Sequence, residues 1–193
     1  MKLWLIRHGL TELGEAGKYQ GRLDNGLCDT GRTQLHRAGW TPEHVYVSPA
    51  LRAKETAAIL FPEARQIVVP GLREMDFGLF EGRSWREMEH DAQYRAWVDG
   101  NCEGQCPDGE NRADFSARVC AAVQKILEAE AEAGSGDAVI VAHGGTQMAA
   151  LWHWGTPRQE YYRWQTGCGC GWLLDWNPAE KSLQILEQVG FLT

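Results

Sequence analysis

Short apolar runs alternate with helical stripes along the chain. Compact apolar segments predict strands at residues 2–6, 45–47, 66–69 and 138–142, and the last of these is the most apolar. Helical periodicity is predicted for residues 30–38, 50–60, 115–127 and 146–154, with two short helical pieces within 85–98. Residues 171–176 and 182–189 predict two further strands, which turn at Asn177-Pro178.

This alternation of strands and helices predicts an α/β fold, a three-layer sandwich with a mostly parallel central sheet flanked by helices. Linkers, repeats and low-complexity stretches are absent, so we expect one domain over residues 1–193, with a lid-like insertion around residues 82–110. Ligands of such sheets bind outside the carboxyl ends of the strands. Two predicted strands end in Arg7-His8-Gly9 and His143-Gly144-Gly145, which are therefore the first candidates for a functional site.

The composition narrows the classes of function. The chain is 44% hydrophobic and 23% charged, with a net charge of −7, which argues against a nucleic-acid or anionic-membrane binder. The apolar run before Arg7 is too short for a signal peptide, so we expect a cytoplasmic protein. Six scattered cysteines are interpreted as free thiols; a metal site built from Cys102, Cys106, Cys168 and Cys170 would depart from the usual ligand spacing.

Histidines that directly follow buried strands suit chemistry on phosphate. A neutral imidazole can attack phosphorus, and the planar guanidinium of Arg7 matches phosphate oxygens. A single His-Gly turn is more often a structural turn, whereas two of them, His8 and His143, at the ends of central strands favour a site.

Four segments together resemble the histidine phosphatase superfamily and its phosphoglycerate mutase branch. They occur in the family's order at residues 5–11 (LIRHGLT), 48–57 (SPALRAKETA), 72–82 (LREMDFGLFEG) and 139–145 (VIVAHGG). The resemblance implies a phosphoglycerate mutase-like fold and a reaction that passes through a phosphohistidine. It also implies that neither a metal nor another cofactor takes part, because arginine and histidine cations replace the metal.

The resemblance also assigns roles to individual residues. It implies that His8 is the nucleophile, that Glu74 is the proton donor, and that the phosphoryl oxygens are held by Arg7, Arg52 and His143. It places the remaining substrate contacts at Thr11, Gln20, Gly21 and the backbone N–H of Gly144. The chain departs from the family at Gly14, where an asparagine is usual, so one side-chain contact to phosphate is expected to be missing.

The expected partner is a small phosphomonoester, and nucleic acid and membranes are not expected partners. Within the family, the segments 1–9 and 162–168 resemble the α-ribazole phosphatases of cobalamin nucleotide-loop assembly, and Trp85, Tyr94 and Trp97 are candidates to stack a heterocyclic base. A phosphoglycerate mutase and a broad-specificity sugar or nucleotide phosphatase are the alternatives, although the segment between Glu74 and His143 is short for a mutase. An inactive binding protein is a third interpretation, and a homodimer is the oligomer considered.

Overall fold

The computed structural model describes residues 1–134 and 136–193. Its strands are β1 (Lys2–Arg7), β2 (His44–Val47), β3 (Arg65–Val68), β4 (Asp137–Ala142), β5 (Gly155–Thr156), β6 (Cys170–Asn177) and β7 (Ser182–Gly190). Its α-helices are α1 (Glu12–Glu15), α2 (Asp29–Gln34), α3 (Leu51–Leu60), α4 (Ala92–Asp99), α5 (Arg112–Ala133) and α6 (Gly144–Trp154). Short 3₁₀ helices lie at Pro70–Leu72, Gly78–Phe80 and Tyr161–Trp164.

The strands form one sheet in the order β3-β2-β4-β1-β6-β7-β5. Strands β3, β2, β4 and β1 are mutually parallel, and β6 runs antiparallel to both β1 and β7. The predicted mostly parallel α/β sheet is therefore confirmed. In the β1–β4 pair, Arg7 lies opposite Ala142, so both strands end at the same edge of the sheet.

Helices cover both faces of the sheet because the central strands are apolar on both sides. Leu5 of β1 and Ile140 of β4 belong to one core cluster, which α5 and α6 cover. The alternate residues Ile6 and Val141 belong to a second cluster, which α3 covers. This alternation of side chains gives the three layers that the sequence predicts.

Two local predictions were inaccurate, and one short helix was missed. Helix α2 ends at Gln34, because Leu35 is extended and bridges to Leu192. Residues 85–90 form turns, and the predicted helical pair is the single helix α4, which Asp91 caps by accepting hydrogen bonds from two backbone N–H groups. Helix α1 was not predicted.

Among the described residues, no helix has the length and apolar character needed to cross a membrane.

Candidate active site

The two predicted histidines lie side by side at the carboxyl edge of β1 and β4. The His8 N–H donates to the Ala142 carbonyl at 2.9 Å, which continues the sheet by one residue. The rings of His8 and His143 pack edge to face, with their centroids 5.2 Å apart. Both side chains are buried. The parallel pairing of two separate strand ends therefore builds the centre of the site.

The ring of His8 is fixed in one tautomer. Its Nδ1 lies 2.7 Å from the carbonyl oxygen of Gly9, which can only accept a hydrogen bond, so Nδ1 carries the proton. The unprotonated nitrogen is then Nε2, which has a free lone pair. Burial, with the nearby Arg52 charge as the second cause, lowers the pKa of His8 to about 3. At neutral pH the His8 imidazole is therefore uncharged and nucleophilic.

His143 is held by Ser48, which directly follows the neighbouring strand β2. Its Nε2 lies 2.7 Å from Ser48 Oγ, and its buried Nδ1 has no hydrogen-bond partner among the described residues. Burial, together with the Arg52 charge, lowers the pKa of His143 well below its ordinary value. The expectation that histidine cations add to the positive charge is thus wrong for the free site, where both rings are neutral.

Two arginines supply the positive charge, and they are held differently. Arg7 Nη1 donates to the Thr166 carbonyl at 2.6 Å, whereas its buried Nε has no partner among the described residues. Arg52 is completely buried, and its Nη atoms donate to the carbonyls of Gln20, Gly21 and Leu23. The buried Nε of Arg52 likewise has no partner among the described residues. The two arginines therefore differ at their Nη atoms, because both Nη atoms of Arg52 are bound to carbonyls, whereas only Nη1 of Arg7 is.

Glu74 reaches the beginning of α6. Its Oε1 accepts from its neighbour's backbone, the Met75 N–H, at 2.9 Å, and its Oε2 accepts from the Gly145 N–H at 3.1 Å. Burial raises the pKa of Glu74 above its ordinary value, although the two N–H groups and the arginines oppose this shift. A side chain at position 145 would overlap Glu74 Oε1, so the close approach requires glycine.

The remaining predicted residues surround this centre. Thr11 Oγ1 donates to Gln20 Oε1 at 2.7 Å and accepts from the Gly14 N–H at 3.0 Å, which caps α1. Gly21 packs so closely on the Met75 carbonyl that a Cβ would overlap it. Gly144 occupies the first turn of α6. Gly14 lies on the wall of the cavity described below, and a Cβ at this position would lie 3.1 Å from Thr11 Oγ1.

A cavity of about 280 Å³ opens over the centre of the site. Five of the predicted residues line it: Arg7, His8, Thr11, Gln20 and Glu74. Arg52, His143, Gly21 and Gly144 are not among its lining residues. The structure thus brings five of the nine predicted catalytic and substrate-binding residues to the cavity wall, and the other four are buried outside its lining.

Aromatic side chains form much of the remaining wall. Tyr19 packs on Phe77 and Trp97 with ring centroids 5.0 and 5.9 Å away, and all three residues line the cavity. Of the predicted stacking residues only Trp97 lines it: Trp85 is 54% exposed elsewhere on the surface, and Tyr94 is buried behind Tyr19.

Sequence reasoning missed three further lining residues, Tyr161, Tyr162 and Arg112. The Arg112 guanidinium lies 4.6 Å from the centre of the Tyr161 ring. These residues belong to a 3₁₀ helix and to the first turn of α5, where apolar periodicity gives no signal; the only hint was the family-like segment 162–168.

Within residues 1–134 and 136–193, no three His, Cys, Asp or Glu side chains cluster in a way that could hold a metal ion.

The sequence of residues 3–188 matches the sequence pattern of the histidine phosphatase superfamily (branch 1). The chain belongs to this superfamily. The adenosylcobalamin/alpha-ribazole phosphatase of Escherichia coli (strain K12) is 30% identical over 200 residues, which cover 97% of this chain and 96% of the relative. An acid phosphatase of Mycobacterium tuberculosis is 31% identical over 161 residues, 79% of this chain and 75% of the relative.

The fold is shared with solved members. The crystal structure of phosphoglycerate mutase from Thermus thermophilus aligns with a TM-score of 0.73 and 28% identity over 98% of this chain and 99% of that one. The predicted family and its fold are thereby confirmed. Because the relatives are named for different reactions, membership of the family does not by itself identify a substrate.

Proposed function

We propose that the chain is a phosphatase that hydrolyses small phosphomonoesters through a phosphohistidine at His8. The observation that carries this proposal is the state of the His8 ring, a buried neutral imidazole whose Nδ1–H is bound to the Gly9 carbonyl. A ring held in this way presents Nε2 as a nucleophile without the need for a separate base.

In the first step, the Nε2 lone pair of His8 forms a bond to phosphorus while the bond from phosphorus to the leaving oxygen breaks. The Glu74 carboxyl gives its proton to that oxygen, and the raised pKa of Glu74 favours the protonated form that this requires. The imidazole gains positive charge, which the hydrogen bond from Nδ1 to the Gly9 carbonyl stabilises. Arg7 and Arg52 offset the negative charge on the phosphoryl oxygens.

In the second step, water attacks phosphorus and gives a proton to the Glu74 carboxylate. The nitrogen–phosphorus bond breaks, and its electron pair returns to Nε2, which restores the starting state and releases phosphate. Each charge in this sequence is carried by a residue of the chain, so we expect turnover without a divalent ion.

The finer proposal concerns the substrate, for which we favour α-ribazole 5′-phosphate. The supporting comparison is the relative from Escherichia coli, whose similarity covers nearly the whole chain. The supporting structural feature is the aromatic wall of Tyr19, Phe77 and Trp97, because aromatic rings stack favourably on a planar heterocycle.

The reaction is tested with p-nitrophenyl phosphate in the presence of EDTA. We expect the wild-type protein to release phosphate, His8→Ala to release none, and the exposed control His90→Ala to behave as wild type. A second experiment uses substrate whose phosphoryl group is radiolabelled. When the reaction is quenched in alkali, the label should stay on the wild-type protein, and acid treatment should then release it. Full activity of His8→Ala, or a strict requirement for a metal, would refute the mechanism.

The substrate is tested by comparing kcat/KM for α-ribazole 5′-phosphate, 3-phosphoglycerate and sugar phosphates. A clear preference for α-ribazole 5′-phosphate supports the finer proposal. Equal values for all substrates would reject it and leave a phosphatase of broad specificity. Transfer of the phosphoryl group between positions of a phosphoglycerate, without release of phosphate, would instead identify a mutase.

A further inference from the structure

Gln147 is a completely buried amide on α6, one turn after His143. Its Oε1 accepts two hydrogen bonds from Thr166, one from the backbone N–H at 3.0 Å and one from Oγ1 at 3.1 Å. Its Nε2 donates to the Leu5 carbonyl at 3.1 Å and lies 3.5 Å from the Cys170 carbonyl. The amide therefore ties α6 to β1 and to the loop that contains Thr166.

That loop holds Arg7, the arginine that lines the cavity. The Thr166 carbonyl accepts from Arg7 Nη1 at 2.6 Å, so one residue lies between the Gln147 amide and the guanidinium. The other contact of Gln147, Leu5, is two residues before Arg7 on the same strand. Gln147 thus fixes both the backbone that carries Arg7 and the carbonyl that orients its side chain.

A buried amide is costly unless it is fully hydrogen-bonded, and packing alone would be served as well by an apolar residue. The neighbouring positions Ala149, Ala150 and Leu151 are apolar and buried in this way. The presence of a polar residue at position 147 is therefore best explained by the groups that its amide binds, Leu5 and Thr166.

We propose that Gln147 is a positioning residue that acts through Thr166 to orient the Arg7 guanidinium towards the phosphoryl group. This inference rests on the proposed function. Arginine binds phosphate through two coplanar N–H groups of its guanidinium, so a rotation of the guanidinium breaks one of these two hydrogen bonds. With Nη1 anchored on Thr166, the Nε and Nη2 groups stay available for phosphoryl oxygens.

The first test uses Gln147→Met, which keeps the volume and removes all the hydrogen bonds. We expect KM for p-nitrophenyl phosphate and the inhibition constant of inorganic phosphate to rise roughly tenfold. Thr166→Val removes the contacts of Oγ1 with Gln147 and with the Gly167 carbonyl but keeps the backbone hydrogen bond to Gln147, so it should show a smaller effect in the same direction. The matched control is Thr146→Val, since Thr146 is equally buried on α6 and its Oγ1 has no hydrogen-bond partner among the described residues.

A double-mutant cycle distinguishes positioning from a general loss of packing. If Gln147 acts through Arg7, then Arg7→Met combined with Gln147→Met binds phosphate no more weakly than Arg7→Met alone. Additive losses, or a Gln147→Met protein that behaves like Thr146→Val, would overturn the proposal.

A spectroscopic readout separates this proposal from the proposed function. The hydrogen bond to Thr166 should hinder rotation of the Arg7 guanidinium, which gives resolved Nη resonances in the wild-type protein. In Gln147→Met these resonances should merge, while Thr146→Val keeps them apart. If turnover is absent but the resonances respond in this way, only the phosphatase proposal fails; if they do not respond, the positioning role fails.

Discussion

Ser48 Oγ and His143 Nε2 lie 2.7 Å apart in a completely buried contact. The same oxygen lies 3.4 Å from the Ala50 N–H, from which it accepts, so its own proton is available to the imidazole. A serine that donates to Nε2 leaves the proton of the neutral ring on Nδ1, the nitrogen without a partner among the described residues. The contact would thus prepare His143 to donate from Nδ1 to a phosphoryl oxygen.

We therefore predict that Ser48→Ala lowers kcat/KM for p-nitrophenyl phosphate roughly fivefold to tenfold, which matches the ~1 kcal/mol net value of a hydrogen bond. Ser48→Thr keeps the hydroxyl and should retain more activity. Nitrogen NMR of labelled histidine provides the direct check, because Ser48→Ala should shift the His143 ring away from the Nδ1–H tautomer. An unchanged tautomer in Ser48→Ala would show that the serine does not set it.

The two adjacent glycines of α6 offer a matched pair of substitutions. In Gly145→Ala the new methyl group would overlap Glu74 Oε1 and the ring of Phe115, whereas in Gly144→Ala it would overlap the end of the Gln165 side chain. We predict that Gly145→Ala lowers kcat roughly 100-fold, since small displacements of a catalytic group are costly, and that Gly144→Ala loses much less. Equal losses in the two variants, measured by steady-state kinetics, would argue against a catalytic placement of Glu74.

The sequence predicted the centre of this site because its signals are local. Arg7-His8-Gly9 and His143-Gly144-Gly145 each follow an apolar run, and two parallel neighbouring strands must end at the same edge. The hydrogen bond between Arg7 and Thr166 has no such signal, since the two residues are far apart in sequence and Thr166 lies outside regular strands and helices. The low pKa of His8 was hidden as well, because it results from burial that only the packed structure reveals.

The low pKa of His8 leads to a prediction about pH. An ordinary histidine side chain gains its proton near pH 6.5, but His8, with a pKa of about 3, should stay neutral well below that value. Loss of the nucleophile by protonation should therefore not limit activity between pH 7 and pH 5. In NMR spectra recorded over this range, the His8 ring nitrogens should keep the shifts of a neutral imidazole. Protonation of His8 near pH 6.5 would contradict the desolvated site.

The raised pKa of Glu74 predicts a stability cost that depends on pH. In the unfolded chain the carboxyl ionises at its ordinary pKa, whereas the folded protein resists ionisation until a higher pH, so stability is lost as pH rises through the folded pKa. Glu74→Gln is neutral at every pH and should have a higher Tm than wild type at pH 8. Below the ordinary glutamate pKa both side chains are neutral, and the difference in Tm should shrink towards zero. Thermal unfolding of the two proteins at pH 4 and pH 8 measures this, with Glu128→Gln on the exposed face of α5 as the control. A Glu74→Gln protein that is less stable at pH 8 would mean that the ionised carboxylate is favoured by its two backbone N–H groups and the nearby arginines.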